Sequence, residues 1–155
     1  MASPTRKHVH EETFEVPPET LFKILHTPSA ICAWWGAVSA IVSPETGGTW
    51  AASWGQTVDD PDFVTSATMR EFNPPHRIVM DNYQYYAKSG PLPFDAAFVT
   101  EFAIIPKENG TSLRVTQDGF PGGPEGDAFL SGCEQGWKDT FAGIRQFLEQ
   151  LPSQP

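Results

Sequence analysis

The sequence predicts an α+β fold in which a curved, seven-stranded antiparallel sheet wraps around one long C-terminal helix. Three observations carry that prediction. Leu130, Cys133, Trp137, Phe141, Ile144, Leu148 and Leu151 recur every three or four positions, the apolar stripe of a helix over about 127–151. Between Ala37 and that helix, short runs of β-formers are separated by Gly, Pro and Asn, as in successive antiparallel strands. Two short helical segments sit between the first strand and those runs. A long helix laid last across a strongly curved sheet encloses space between the two layers.

Each element has a local reason. Residues 8–15 read as the first strand. Val16-Pro17-Pro18-Glu19-Thr20 then opens a helix, because proline suits the first helical position and an acid suits the first turn. Leu21, Phe22 and Leu25 give that helix an apolar face as far as His26. Thr27-Pro28 breaks it, Ser29 is expected to cap a second short helix through Trp34, and Gly36 ends that one. Strands follow at 38–42, 49–54, 64–72, 77–86, 97–106 and 111–120. The turns between them are Pro44 to Gly48, the acidic Asp59-Asp60-Pro61-Asp62, Asn73-Pro74-Pro75, Ser89 to Pro93, and Lys107-Glu108-Asn109-Gly110.

Alternation assigns faces to the strands. Phe98, Phe102 and Ile104 share a buried face, as do Leu113 and Val115, while Glu101 and Arg114 take the wet parity. Ile78 and Met80 are grouped by the same rule with Asn82, Gln84 and Tyr86. Trp50, Ala52 and Trp54 alternate, so a small residue sits between two indoles. That gap holds either a neighbouring side chain or a ligand.

Composition narrows the function classes. The chain has 155 residues, enough for one domain over 1–155 with a core that needs no staples. Nineteen acidic against ten basic side chains leave a net charge of −9, which disfavours nucleic acids and anionic membranes as partners. No apolar run is long enough to span a bilayer, and Met1 to Lys7 lacks the apolar segment of a secretion signal. Cys32 and Cys133 suit a reducing compartment as free thiols, a bridge between them being the less favoured alternative. Asn109-Gly110-Thr111 reads as a hairpin turn rather than a glycosylation acceptor. The expectation is a cytoplasmic protein without cofactor, with a homodimer left open.

Several stretches are similar to one family. Phe14-Glu15-Val16-Pro17-Pro18-Glu19 resembles its strand-to-helix entry, and Ala33-Trp34-Trp35-Gly36 the aromatic end of its second helix. Gly47-Gly48-Thr49-Trp50, Phe72 to Ile78 and Asn109 to Thr116 resemble its third strand, a later turn and its final hairpin. Gly136-Trp137 resembles a pair inside its closing helix. The family is that of the activator of heat-shock protein 90 ATPase homologues, within the START-related helix-grip (SRPBCC) superfamily, and the likeness covers about residues 8–150. It implies a deep apolar cavity between sheet and terminal helix, no fixed catalytic set, and varied function. Fold alone does not name an activity.

His8, His10 and Glu12 share one strand face, as two imidazoles and a carboxylate around a metal would. His26 and His76 are badly placed to complete such a set, so a solvated strand edge is the better reading and no metal is assigned. No Gly-x-Ser-x-Gly elbow occurs, Cys133 lies on the apolar stripe, and Gly119 to Gly126 lacks the lysine of a phosphate loop. Glu125 and Asp127 there complement the helix dipole instead. No catalytic residue is assigned. The binding candidates are the aromatic residues Trp35, Trp50, Trp54, Trp137 and Phe141, with Met80 and Phe102 from the sheet. Asn82 and Gln117 are the polar anchors of inner parity, and Glu12, in an apolar setting, is a candidate acid or base. The favoured function is binding of a hydrophobic small molecule or lipid. The alternatives are a cofactor-independent cyclase or hydrolase on the same cavity, and a module that interacts with a chaperone or another protein.

Overall fold

A computed structural model of the chain describes residues 5–91 and 97–151. Its elements are β1 (Thr5–Phe14), α1 (Pro18–Ile24), α2 (Pro28–Trp35), β2 (Ser39–Val42), β3 (Thr49–Thr57), β4 (Asp60–Asn73), β5 (Arg77–Ala87), β6 (Val99–Lys107), β7 (Gly110–Pro121) and α3 (Pro124–Glu149). The expected turn residues Leu92 and Pro93, and the terminal residues Met1–Pro4, lie outside the described residues.

One antiparallel sheet runs in the order β1-β7-β6-β5-β4-β3-β2. Strands β2 to β7 follow as hairpins, whereas β1 crosses through α1 and α2 to the far edge before β2 begins. The helix-grip architecture is therefore the one observed, with α3 packed on the inner face. Proline at the first helical position opens α1, α2 and α3 alike. Because Pro124 takes that position, α3 begins three residues earlier than the stripe indicated. Ser29 does not cap α2; Thr27 holds the cap position, and its hydroxyl donates back to the Lys23 carbonyl instead. Gly36 ends α2 in the left-handed region at φ 73°, its N–H returning to the Cys32 carbonyl.

The core lies between the sheet and the three helices. Leu21 and Ile31 from the short helices, Leu113 and Val115 from β7, and Phe141 from α3 are all fully buried. Tryptophans join these layers through their polar edges as well as their rings. Trp34 Nε1 donates to the Ile24 carbonyl (2.9 Å), Trp50 Nε1 to Leu25 (3.3 Å) and Trp54 Nε1 to Trp35 (3.2 Å). Those carbonyls sit at the C-terminal ends of α1 and α2, where helices leave acceptors without an internal partner. The two short helices are thereby anchored to β3.

Regular alternation holds in β6 and β7, where Phe102, Ile104, Leu113 and Val115 are buried as expected, as is Phe98 just before β6. It fails in β5. Asn82 has a left-handed backbone, φ 54°, and the β4–β5 register slips between Ser66 and Thr68, so two residues of β5 face one of β4. This is a β-bulge, and it resets the parity. Asn82, Gln84 and Tyr86 turn outward and are exposed, and Tyr83 and Tyr85 border the inner pocket instead, Tyr85 at its open side with 43% of its surface exposed. Asparagine is among the few residues that adopt this conformation at modest cost.

Candidate functional site

Between the inner face of the sheet and α3 lies a pocket of about 640 Å³. Its sheet side is built from Trp50 and Trp54 of β3, Met80, Tyr83 and Tyr85 of β5, and Phe102. Trp35, projecting from the end of α2, stands at the centre of the aromatic cluster. Its ring centroid lies 5.0 Å from Trp34, 5.5 Å from both Trp50 and Trp54, and 5.7 Å from Trp137. Trp35 and Trp54 meet edge to face at 78°, an arrangement that the ring quadrupoles favour.

The helix side owes its room to small residues. Ala128, Gly132 and Gly136 recur every four positions along the stretch of α3 that lines the pocket. A Cβ added at Gly132 or Gly136 would meet nothing within 4 Å, so the chain leaves side-chain space empty there. Gly143 differs, because a Cβ there would come within 2.3 Å of the Trp34 carbonyl. That glycine permits the close approach of α2 to α3, whereas Gly132 and Gly136 are exposed and border the pocket with open space at their Cβ positions.

A few polar groups interrupt the apolar walls. Trp137 Nε1 donates to Gln117 Oε1 at 3.1 Å, and the Tyr83 hydroxyl donates to Thr100 Oγ1 at 2.7 Å. Thr65 and Thr140 also border the space. Burial pushes the Tyr83 and Tyr85 phenols well above their ordinary range, and it pushes the Cys133 thiol up to about 11. All three are neutral near pH 7. Among the described residues no charged side chain lines the pocket.

Of the candidates named from the sequence, Trp35, Trp50, Trp54, Met80, Phe102, Gln117 and Trp137 border this space. Two do not. Asn82 is carried to the outer face by its own bulge, where its amide donates to Thr68 at 3.4 Å. Phe141 lies in the solid core with no exposed surface, its ring 4.5 Å from His10 and 6.3 Å from Trp137. Strand parity missed Tyr83 and Tyr85. The asparagine in mid-strand is the one sequence signal of the bulge that brings them inward.

Glu12 also stands elsewhere. His10 Nε2 lies 2.7 Å from Glu12 Oε2, and Arg145 of α3 donates to Glu12 Oε1 at 2.8 Å and to the Thr13 carbonyl at 3.3 Å. The Arg145 guanidinium rests 4.5 Å above the Phe14 ring. Burial raises the Glu12 carboxyl, but hydrogen bonds with Arg145 and His10 outweigh it, and the net shift is downward. The side chain is an ionised partner of Arg145, not a free acid or base. His8 and His10 stack at 6.4 Å, and among the described residues no group of three or more His, Cys, Asp or Glu can hold a metal ion. Cys32 and Cys133 are both free thiols. No helix among the described residues is long and apolar enough to cross a membrane.

Comparison with known proteins places this geometry in context. The family model described as activator of Hsp90 ATPase homolog 1-like protein matches residues 15–149. No curated protein matches significantly. Among solved structures, a Mesorhizobium loti protein is similar at 26% identity and a TM-score of 0.75, covering 96% of this chain and 100% of its own. A Rhodobacter sphaeroides protein is 20% identical, with a TM-score of 0.75 over 94% of this chain and 93% of its own. A Plasmodium falciparum protein titled an HSP90 activator is 20% identical, with a TM-score of 0.68 over 92% and 96%. The last two likenesses concern the fold alone.

Proposed function

The chain belongs to the activator of Hsp90 ATPase homolog 1-like family, and from that premise we propose that it binds a hydrophobic small molecule or lipid between sheet and helix. The observation that carries the reading is the conjunction of an indole-lined pocket with the vacant Cβ positions of Gly132 and Gly136 over it. Glycine is the costliest common residue inside a helix after proline, at about 1 kcal/mol relative to alanine. Two of them facing a concave apolar surface make sense where the space itself is used. A pocket of this size falls within the range of small-molecule sites, which combine apolar walls with a few placed polar groups.

The test uses the neutral fluorophore N-phenyl-1-naphthylamine and a variant that fills the space, Gly136→Leu. An added Cβ meets nothing within 4 Å, so the fold is expected to survive, as checked by its unfolding midpoint. Saturable binding to the wild type that weakens about tenfold or more in Gly136→Leu supports the reading, a loss of about 1.4 kcal/mol. Binding that Gly136→Leu leaves unchanged defeats it. Native mass spectra of gently purified protein would complement the titration by revealing any retained ligand.

Family membership also favours a second reading, an interaction with Hsp90 through the outer surface. The same variant separates the two, because Gly136→Leu would leave Hsp90 binding, measured by calorimetry, unaffected. An enzymatic reading has less support, since Glu12, the inner carboxylate, is held by Arg145 outside the pocket lining.

A further inference from the structure

We infer that the pocket selects an uncharged, planar ligand presenting a carbonyl oxygen, an aryl ketone or related compound, which Gln117 and Thr100 recognise as hydrogen-bond donors. This inference rests on the pocket's being a binding site, as proposed above.

Charge is decided by the walls. Among the described residues every lining side chain is neutral, so an ion entering the pocket would leave its hydration behind and meet no countercharge. Shape is decided by the aromatic walls, since Trp35, Trp54 and Trp137 border the same space and aromatic rings pair well with a planar ring system.

Polarity is decided by which hydrogen-bonding atoms are already engaged. An indole nitrogen can only donate, so the atom of Gln117 facing Trp137 Nε1 must be the amide oxygen. That contact fixes the amide orientation and leaves Nε2, with its two hydrogens, as the free end. The unpartnered buried side-chain nitrogens and oxygens among the described residues are Arg6 Nε and His8 Nε2. Gln117 Nε2 is not one of them and has no hydrogen bond with another described residue, so it is open to the accessible space of the pocket. Thr100 and Gln117 are directly opposed across the β6–β7 ladder, within reach of one ligand atom. Thr100 Oγ1 accepts from Tyr83, and its own hydrogen remains to be donated. Trp35 Nε1 adds another donor, having no hydrogen bond with any described residue. Gln117 Nε2, the Thr100 hydroxyl and Trp35 Nε1 each have a hydrogen to donate, and a carbonyl oxygen, with two lone pairs and no hydrogen, complements a pair of them.

The experiment compares three naphthalenes of one size by displacement of N-phenyl-1-naphthylamine: 2-acetylnaphthalene, its isosteric alkene 2-isopropenylnaphthalene, and the anion 2-naphthoate. Affinity ratios between ketone and alkene are measured in wild type, Gln117→Met and Thr100→Val, which cancels the different hydration of the two probes. The ratio is expected to fall about tenfold in Gln117→Met and several-fold in Thr100→Val, as for loss of one hydrogen bond each. Thr100→Val preserves shape, so it keeps the test decisive if Gln117→Met, which orphans the Trp137 N–H, folds poorly. Naphthoate is expected to bind at least about tenfold more weakly than the ketone. A ratio identical in wild type and both variants, or naphthoate binding equal to the ketone, overturns the inference while leaving the pocket reading intact. If the fluorophore binds but none of the three displaces it, the inference falls and the pocket reading stands; if the fluorophore itself fails to bind, both fall together.

Discussion

Trp137 on α3 donates its indole N–H to Gln117 Oε1 on β7 at 3.1 Å, a buried bond between residues twenty positions apart. It joins the middle of the long helix to the inner face of the sheet. It also orients an amide that strand alternation alone could place on the inner face but not aim. The pocket's polar character follows from that bond, and the glycines beside Trp137 determine how much space surrounds it.

Those glycines make opposite predictions. Gly136→Ala and Gly132→Ala should each raise stability by about 0.5–1 kcal/mol, since helix propensity improves and no atom is displaced. Gly143→Ala should lower it by about 2 kcal/mol or more, because the new methyl collides with the Trp34 carbonyl. Urea midpoints of the three variants check the contrast.

At the β5 bulge, Asn82→Gly should leave stability within about 0.5 kcal/mol of wild type, because glycine accepts φ 54° freely. A β-branched residue does not, and Asn82→Val should cost about 1–3 kcal/mol. If Asn82→Val is neutral in chemical denaturation, the left-handed turn does not set the facing of Tyr83 and Tyr85.

The Glu12–Arg145 pair links α3 to the edge strand β1 and is only partly shielded from solvent. Glu12→Gln should therefore cost no more than about 1 kcal/mol at neutral pH. Because the folded carboxyl lies below its ordinary value of 4.5, its contribution is complete above that pH and is lost as pH falls through the folded pKa. Wild type and Glu12→Gln should converge in stability at the acid end. Thermal unfolding between pH 7 and pH 3, in about half-unit steps, tests the convergence.

Tyr83 and Tyr85 behave in the opposite sense. Their phenols are raised above 10.0 in the folded protein by burial, so the neutral forms stabilise the fold below that pH. That stabilisation declines as the pH rises past 10.0, where the unfolded chain releases protons first. In an alkaline titration followed by phenolate absorbance, Tyr83 should ionise only as the protein unfolds, whereas Tyr85, 43% exposed, should ionise ahead of it. Tyr83→Phe should cost about 1 kcal/mol at neutral pH, the usual worth of one buried hydrogen bond.

Much of this molecule is legible in local pattern. The stripe through Trp137 and Ile144 marks α3, the hairpin at Glu108-Asn109 sets the β6–β7 register, and alternation correctly buries Phe102 and Val115. These features depend on neighbours a few residues away, and periodicity reports such geometry directly. Where strands are regular, even the side of the sheet facing α3 can be read from composition.

The remaining features depend on contacts that no local pattern encodes. One left-handed residue at Asn82 exchanges two tyrosines for two polar side chains on the inner face, because a single extra residue inverts every parity beyond it. Arg145 captures Glu12 from 133 positions away, turning an apparent acid–base candidate into an ion pair. Gly136 and Gly143 look equivalent in the sequence, yet one faces open space and the other a backbone carbonyl. Local periodicity thus settles which elements form and which faces they bury. The pocket's size and the neutrality of its described lining residues follow from how distant side chains meet, a matter of packing complementarity that emerges only when sheet and helix close on each other.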